Sequence, residues 1–498
     1  MNLKNIIKWA KPVIQAIISA LLLGLLITCG LLPAKYLGIA AVVVLLLLLI
    51  TVLSSRSDNA AARSSGTILA IAVCLVLAFG AVYLHQVMRT LDRVSGSNTE
   101  INNILVIVAQ GNPAQKIEET SGYTFGVYEG ADASYVDQMK EEIESLNGDA
   151  EIKVETYASA LDLAQAVLDG KVDAAICNQS YTALIEDEIA DYSTQTRIIY
   201  EKGFETEIDT DYFKNIDSSA SDTSVAPDSS SQRKTAAAKN ISLTEDSYTI
   251  LISGIDVSGP INTTSRSDVN IMMTVNPRTH RILLTTTPRD YFVPIPGITG
   301  DSRDKLTHAG IYGVYSSMRT LEELFGIDIH SYIRINFDSL IQLVDALDGV
   351  DVHSDYEFDS VGYHFVAGEN HLNGEQALAF SRGRYAFKDG DNQRGKNQML
   401  VLTAILNKLQ SPALLKNPSG VLDVVGRSMQ TNLRTSQITK LIAWQLDQGT
   451  GWDISRQAVT GTGDKQETFS MPGRTLYVMW PDETSVKEAS DKIREMME

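Results

Sequence analysis

Arginine and aspartate meet repeatedly in the second half of this chain, at points where apolar runs end. Gly254-Ile255-Asp256 closes one such run, and Arg266, Ser267 and Asp268 follow a polar loop. Pro288-Arg289-Asp290 ends another, Lys305 to His308 precede a helical stretch, and Ser381-Arg382-Gly383-Arg384 is followed by Asp389, Asp391, Arg394 and Gln398. On an extended segment Arg266 and Asp268 point the same way. Arg394 and Gln398 lie one helical turn apart and share a face. Guanidinium forks bind phosphate oxygens bidentately, a helix start adds backbone donors, and one or two carboxylates can hold a partly hydrated Mg2+. Any one arginine alone would be ordinary solvated surface. Five of them (Arg266, Arg289, Arg382, Arg384 and Arg394) in an acidic chain make a local site for an anion such as a diphosphate.

These residues need a scaffold. Tyr248–Ile255 reads as a strand, Val269–Val275 and Arg281–Thr287 as a hairpin, and Leu321, Leu324 and Phe325 as one helix stopped at Gly326. Phe337–Leu347 is a second helix closed by Asp348-Gly349. A third starts near Asn392 with Met399, Leu402, Ile405 and Leu409 on one stripe. A strand near Leu476–Trp480 and a helix capped near Asp482 complete the unit. The class is mixed α/β.

The remaining 240 or so residues divide further. Apolar runs at 13–32, 37–53 and 67–88 each approach the ~20 residues needed to cross a hydrocarbon core, so residues 1–93 read as a membrane anchor of three helices. Signal peptides have one shorter run. With the N-terminus cytoplasmic, the inner flanks hold Lys4, Lys8, Lys11, Arg56 and Arg63 and the outer ones Lys35, Arg89 and Arg93, a bias that places the rest outside the cytoplasm. A polar neck is expected at Ser95–Asn103. Residues 100–215 alternate strands (Ile104–Val108, Tyr123–Tyr128, Glu151–Tyr157, Val172–Cys177) with helices (Val136–Leu146, Ala160–Leu168), as a small α/β accessory domain does; a short likeness to solute-binding lobes at 168–176 leaves a scaffold or interaction role favoured. Residues 216–240, rich in Ser, Ala, Asp and Thr, read as a flexible linker, and a new domain spans 242–498.

Composition removes several alternatives. Net charge is −19, and since residues 1–93 carry +6, the remainder carries −25. Nucleic-acid binding by the whole chain is excluded on that balance, and no helix-turn-helix or basic region is visible. Cys29, Cys74 and Cys177 offer neither a disulfide framework nor metal-ligand spacing. G-x-S-x-G, a Walker A loop and H-E-x-x-H are absent.

The segments Gly254-Ile-Asp256, Arg266-Ser-Asp268, Thr287-Pro-Arg-Asp290, Lys305-Leu-Thr-His-Ala309, Arg334-Ile-Asn-Phe337, Leu347-Asp-Gly-Val-Asp-Val352 and Leu372 through Arg384 resemble, in order, the motifs of the LytR-CpsA-Psr family over about residues 242–498. The three helices and accessory domain resemble its capsule-type, CpsA-like branch. The resemblance implies an α-β-α catalytic domain with a mixed central sheet. It also implies a membrane-anchored phosphotransferase of Gram-positive bacteria that moves a cell-wall or capsular glycopolymer from undecaprenyl pyrophosphate onto peptidoglycan with Mg2+, releasing polyprenyl phosphate. Alternatives within the same resemblance are a polyprenyl-pyrophosphate binding protein, a pyrophosphatase or a regulator of wall assembly. Carried across, it makes Asp256 and Asp268 the Mg2+-side carboxylates and Arg266, Arg289, Arg382, Arg384 and Arg394 the pyrophosphate clamp, with Lys305 and Gln398 lining the same site. Asp256, Asp268, Arg266 and Arg289 are then the catalytic set. One departure stands out: the family often has Arg before the glutamine, where this chain has Lys396-Asn397-Gln398.

Overall fold

The computed structural model describes residues 3–95, 99–128, 130, 133–207, 241–255, 260–384, 386–387, 390–410 and 418–498. The expected linker at 216–240 and the expected metal ligand Asp256 lie outside the described residues.

Helices α1 (Leu3–Cys29), α2 (Ala34–Arg56) and α3 (Ala60–Val94) are each long and apolar enough to cross a membrane. Val44, Val73 and Leu77 pack between them, whereas Leu45, Val76 and Phe79 face outward, as lipid-covered side chains do. The chain is thus membrane-anchored. All three helices outrun the apolar runs of the sequence. Asn59 caps α3 by accepting from the Ala61 amide, and α3 continues six residues beyond Met88.

The accessory unit comprises β1 (Thr99–Ala109), β2 (Thr124–Tyr128), α4 (Ala133–Leu146), β3 (Lys153–Tyr157), α5 (Ala160–Leu168), β4 (Ala174–Asn178), the short helices α6 (Thr182–Glu188) and α7 (Tyr192–Gln195), and β5 (Thr196–Glu207). Its sheet runs β3-β2-β4-β1-β5, with β2 parallel to β3 and β4 and β1 antiparallel to β4 and β5. Strand alternation sends Leu105 and Ile107 to the α5 side and Ile104, Val106 and Val108 to the α4 side.

In the C-terminal unit the expected strand is β6 (Tyr248–Ile255), and the expected hairpin is β7 (Ser267–Asn276) and β8 (Arg281–Thr286). Then come β9 (Phe292–Val293), β10 (Asp304–Lys305), α8 (Leu306–Ala309), α9 (Val314–Phe325), β11 (Ser331–Asn336) and α10 (Phe337–Ala346). A small insert of β12 (Val350–Ser354), β13 (Phe358–Ser360), β14 (Tyr363–Phe365) and β15 (Gly368–Leu372) leads into α11 (Gly374–Arg382) and α12 (Asp391–Leu409). Finally α13 (Pro418–Ser428), β16 (Met429–Thr431), α14 (Thr435–Gln448), β17 (Asp453–Ala458), the hairpin β18 (Gly461–Thr468) and β19 (Met471–Pro481), and α15 (Glu483–Met497) close the fold. The central mixed sheet has the order β16-β11-β6-β7-β8-β17. Leu251, Met272 and Leu283 face α9 and α15, while Ile250, Ile252, Ile271, Met273, Ile282 and Leu284 face α12 and α14. The layers are α-β-α.

Two seams join this unit to its neighbours. Glu100 and Asn102 are buried, so the expected polar neck gives way to strand from Thr99 onward. The reason is distant partners: Glu100 pairs with Arg334 and accepts from the Val314 amide at 2.9 Å, while Asn102 accepts from the Thr264 hydroxyl at 2.9 Å. Gly313 makes room for Glu100, since a Cβ there would collide with its carboxylate. On the membrane side, Ser95 bridges to Thr431, α3 runs so close to α13 that a Cβ on Gly426 would lie 2.7 Å from Thr90, and Lys35 pairs with Asp447 at 2.9 Å.

Candidate active site

At the C-terminal ends of the parallel pair β6 and β11, a place where open α/β sheets leave a crevice, lies a cavity of ≈ 320 Å³. Each wall has a local cause. Gly254 at the end of β6 sits against Val269, where a register shift lets β7 begin with Arg266 and Asp268 at the rim. Asn336 ends β11 and caps α10 by accepting from the Ser339 amide at 2.8 Å, which turns Phe337 and Leu340 into the wall. Helix α11 starts with a capping box between Asn373 and Gln376 and delivers Arg382 and Arg384 at its far end. The Arg382 guanidinium lies over the Phe337 ring, 5.1 Å from its centre. Helix α12 approaches β8 closely because residue 395 is glycine: a Cβ would stand 2.9 Å from the Thr286 hydroxyl.

The lining is divided by chemistry along α12. Arg394 and Gln398 sit on its first turns near Asp268, Arg266 and Arg289, and Val401, Leu402 and Ile405 follow on the same stripe, while Arg382, Arg384, Leu340, Leu378 and Ile252 complete the lining. Eleven residues separate Arg394 from Ile405, about 16 Å of helix.

Arg289 donates to Asp268 at 2.7 Å and the Thr307 hydroxyl donates to its other oxygen at 2.9 Å. Burial pushes the Asp268 carboxyl up, but the guanidinium groups of Arg289, Arg266 and Arg394, with the Thr307 hydroxyl, outweigh burial and hold it below its ordinary value. It stays ionised at neutral pH and is a weak base.

Of the sequence-derived set, Arg266, Asp268, Arg289, Arg382, Arg384, Arg394 and Gln398 all line this one cavity. Lys305 does not. Its ammonium lies 3.2 Å from Asp290, which is buried behind Arg289, so Lys305 braces the neighbouring carboxylate instead. Asn397, where the family often carries Arg, is buried and donates to the Phe380 carbonyl at 3.3 Å, tying α12 to α11. His308 is buried with Asp304 and Ser470 both on Nδ1, at 2.6 and 2.7 Å. A nucleophile relay would use opposite ring nitrogens, so the trio is a brace for the β18–β19 hairpin. Asp187 of α6 was not marked by the sequence, yet it lines the cavity and accepts from Arg266 at 2.8 Å. It sits within Glu186-Asp187-Glu188, an acidic run with no chemical signature.

Among the described residues no group of three His, Cys, Asp or Glu side chains gathers as a self-sufficient metal site. Asp268 does offer hard carboxylate oxygens amid guanidinium groups. That donor type fits Mg2+, which needs only one or two carboxylates when water and phosphate complete its shell.

Residues 212–493 match the LytR_cpsA_psr family. The chain is similar to proteins named polyisoprenyl-teichoic acid–peptidoglycan teichoic acid transferase TagU. That of Enterococcus faecalis is 34% identical over 230 residues, 45% of this chain and 74% of that protein. That of Oceanobacillus iheyensis is 34% identical over 206 residues, 40% of this chain and 62% of that protein's length. Among solved structures, Bacillus subtilis TagV is 26% identical, covering 51% of this chain and 98% of that one with a TM-score of 0.44.

Proposed function

Since the chain belongs to the LytR-CpsA-Psr family, we propose that it is a membrane-anchored phosphotransferase moving a glycopolymer from a polyprenyl pyrophosphate carrier onto peptidoglycan. The observation that carries this reading is the divided cavity. Five arginines in its lining, three of them around Asp268, suit a pyrophosphate, and the apolar stripe beyond Gln398 suits the first isoprene units of its lipid. The relatives' names point to the same pairing of a polyisoprenyl-linked polymer with peptidoglycan. The positive flanks favour an extracytoplasmic position for this cavity.

In the reaction an acceptor sugar hydroxyl attacks the sugar-proximal phosphorus. The new O–P bond forms as the bond to the bridging oxygen breaks, polyprenyl phosphate departs and the hydroxyl proton passes to solvent. Such transfers ask mainly for positioning and charge stabilisation. Arg266, Arg289, Arg382, Arg384 and Arg394 bind and orient the two phosphates and meet the charge that gathers on the leaving phosphate. Asp268, ionised and weakly basic, orients Arg289 and, with Asp256, would hold Mg2+, which when bound adds further charge neutralisation at the pyrophosphate.

The test is product analysis with the full-length protein, a polyprenyl pyrophosphate glycan labelled separately at each phosphorus, Mg2+ and peptidoglycan. Direct transfer leaves one labelled phosphate bridging polymer and wall and the other on the lipid. Release of free polymer with both phosphates removed would indicate hydrolysis and overturn the reading.

A further inference from the structure

The matched family region begins at residue 212, so the accessory unit at 99–207 lies wholly outside it. That unit nevertheless reaches the cavity, through the loop before Arg266 and through Asp187 in the lining. Ile101 donates its amide to the Asn262 carbonyl at 2.9 Å and receives the Thr264 amide at 3.0 Å. Asn102 takes the Thr264 hydroxyl at 2.9 Å, and the Ser180 hydroxyl donates to the Thr264 carbonyl at 2.8 Å. From the opposite side the loop rests on Gly310, where a Cβ would stand 2.5 Å from the Ser265 carbonyl oxygen and 2.6 Å from the Ser267 nitrogen. The backbone that presents Arg266 is therefore held between two surfaces, one of them the accessory unit. Asp187 then meets the side chain itself. Its carboxylate accepts from Nη1 at 2.8 Å, with the Arg266 side chain 10% exposed and that of Asp187 65% exposed.

We propose that Asp187 is a positioning residue for Arg266, and that the accessory unit is through it a working part of the carrier-binding site. A guanidinium is a planar fork. A carboxylate on one nitrogen fixes the plane, so the guanidinium meets a phosphate with less search among rotamers. The Asp187 carboxylate comes from outside the matched family region, so the accessory unit contributes to the orientation of Arg266. The proposal rests on the reading of the cavity as a pyrophosphate carrier site.

The experiment is titration of full-length protein in detergent with geranylgeranyl pyrophosphate, for wild type, D187A, D187E, R266A and the double variant D187A/R266A. D187A should weaken binding about five- to tenfold, the scale of one ordinary hydrogen bond because the exposed carboxylate acts only through Arg266, and D187E should restore most of it. The double variant should bind within about twofold of R266A, because two residues acting through one contact are not additive. Unfolding midpoints should be unchanged, since Asp187 is a largely exposed side chain. Unaltered binding by D187A, or losses that multiply in the double variant, would overturn the proposal while leaving the functional reading standing. A wild type that does not bind the probe would overturn both.

Discussion

Against the accessory unit the C-terminal unit buries an ion pair beside an apolar patch of Ile311, Met471 and Leu476, whereas against the anchor it buries methyl groups and keeps its ion pair and its Asp92–Thr435 hydrogen bond in the open. Arg334, 1% exposed, is held by Glu100 and by Gln430, and Gln430 in turn donates to the Thr99 carbonyl at 3.0 Å. At the other seam Cys29, Leu31, Leu84, Val87 and Leu91 cluster with Ile438, and the Lys35–Asp447 pair is about half exposed on both sides. A buried pair gains little net stability over an apolar one but is severe when half of it is removed. An apolar contact tolerates sliding, while directional bonds permit one register only. The seam that reaches the catalytic loop is the one built to permit a single arrangement.

Removing half of the buried pair should have the largest effect. E100A leaves Arg334 charged and uncompensated, and denaturant unfolding of the full chain in detergent should show a loss of about 3–5 kcal/mol. A loss below about 1 kcal/mol would erase the distinction between the two seams.

G310A tests the opposite support of the same loop. The new methyl must displace backbone at Ser265 and Ser267, and overpacking of this kind costs about 1–3 kcal/mol; binding of a polyprenyl pyrophosphate should weaken alongside stability. Full retention of both would mean that the loop is not held as tightly as the seam implies.

Acid titration gives a smaller, signed effect within the cavity. The folded Asp268 carboxyl lies below its ordinary value, so its contribution to stability is present above the unfolded value of about 3.9 and is lost as pH falls through the lower folded one. R289A removes the foremost cation, raises that carboxyl, and should move acid unfolding to higher pH. An unchanged acid midpoint would show that Arg289 does not govern Asp268.

K35A should change least. The pair is exposed on both sides, so its loss should leave the thermal midpoint close to that of wild type, and what difference there is should fade with salt. A thermal shift as large as that of E100A would reverse the comparison.

Strands β6, β7 and β8 of the central sheet were legible because they carry their reasons locally, whereas β11, β16 and β17 were not read from the sequence. The β7–β8 hairpin alternates two buried faces, and the stops at Gly326 and at Asp348-Gly349 are left-handed positions with φ of 61° to 77°. The arginine-bearing motifs were legible by type and order, and the structure brings them around one cavity. What failed was whatever depends on a distant partner. Glu100 and Asn102 read as solvated neck residues because Arg334 and Thr264 lie 234 and 162 positions away. Lys305 has the right charge for the cavity, but Asp290 stands nearer. The three-residue strands β13 and β14 are too short for any period to register, and Asp187 has a role only because α6 happens to face Arg266.

Helix α3 has 35 residues, about 52 Å at 1.5 Å per residue, against a hydrocarbon core of about 30 Å. The excess of about 20 Å is shared between its two ends, residues 60–66 before the apolar run and 89–94 after it, and its last turn is fastened to the C-terminal unit through Ser95 and Thr431 and through the Asp92–Thr435 hydrogen bond at 2.7 Å. It is a mast and not a tether. A unit on a flexible tether sweeps a hemisphere, whereas one joined to a continuous membrane helix keeps its cavity at a set elevation over the bilayer. A ligand anchored in that bilayer therefore meets the cavity at one depth.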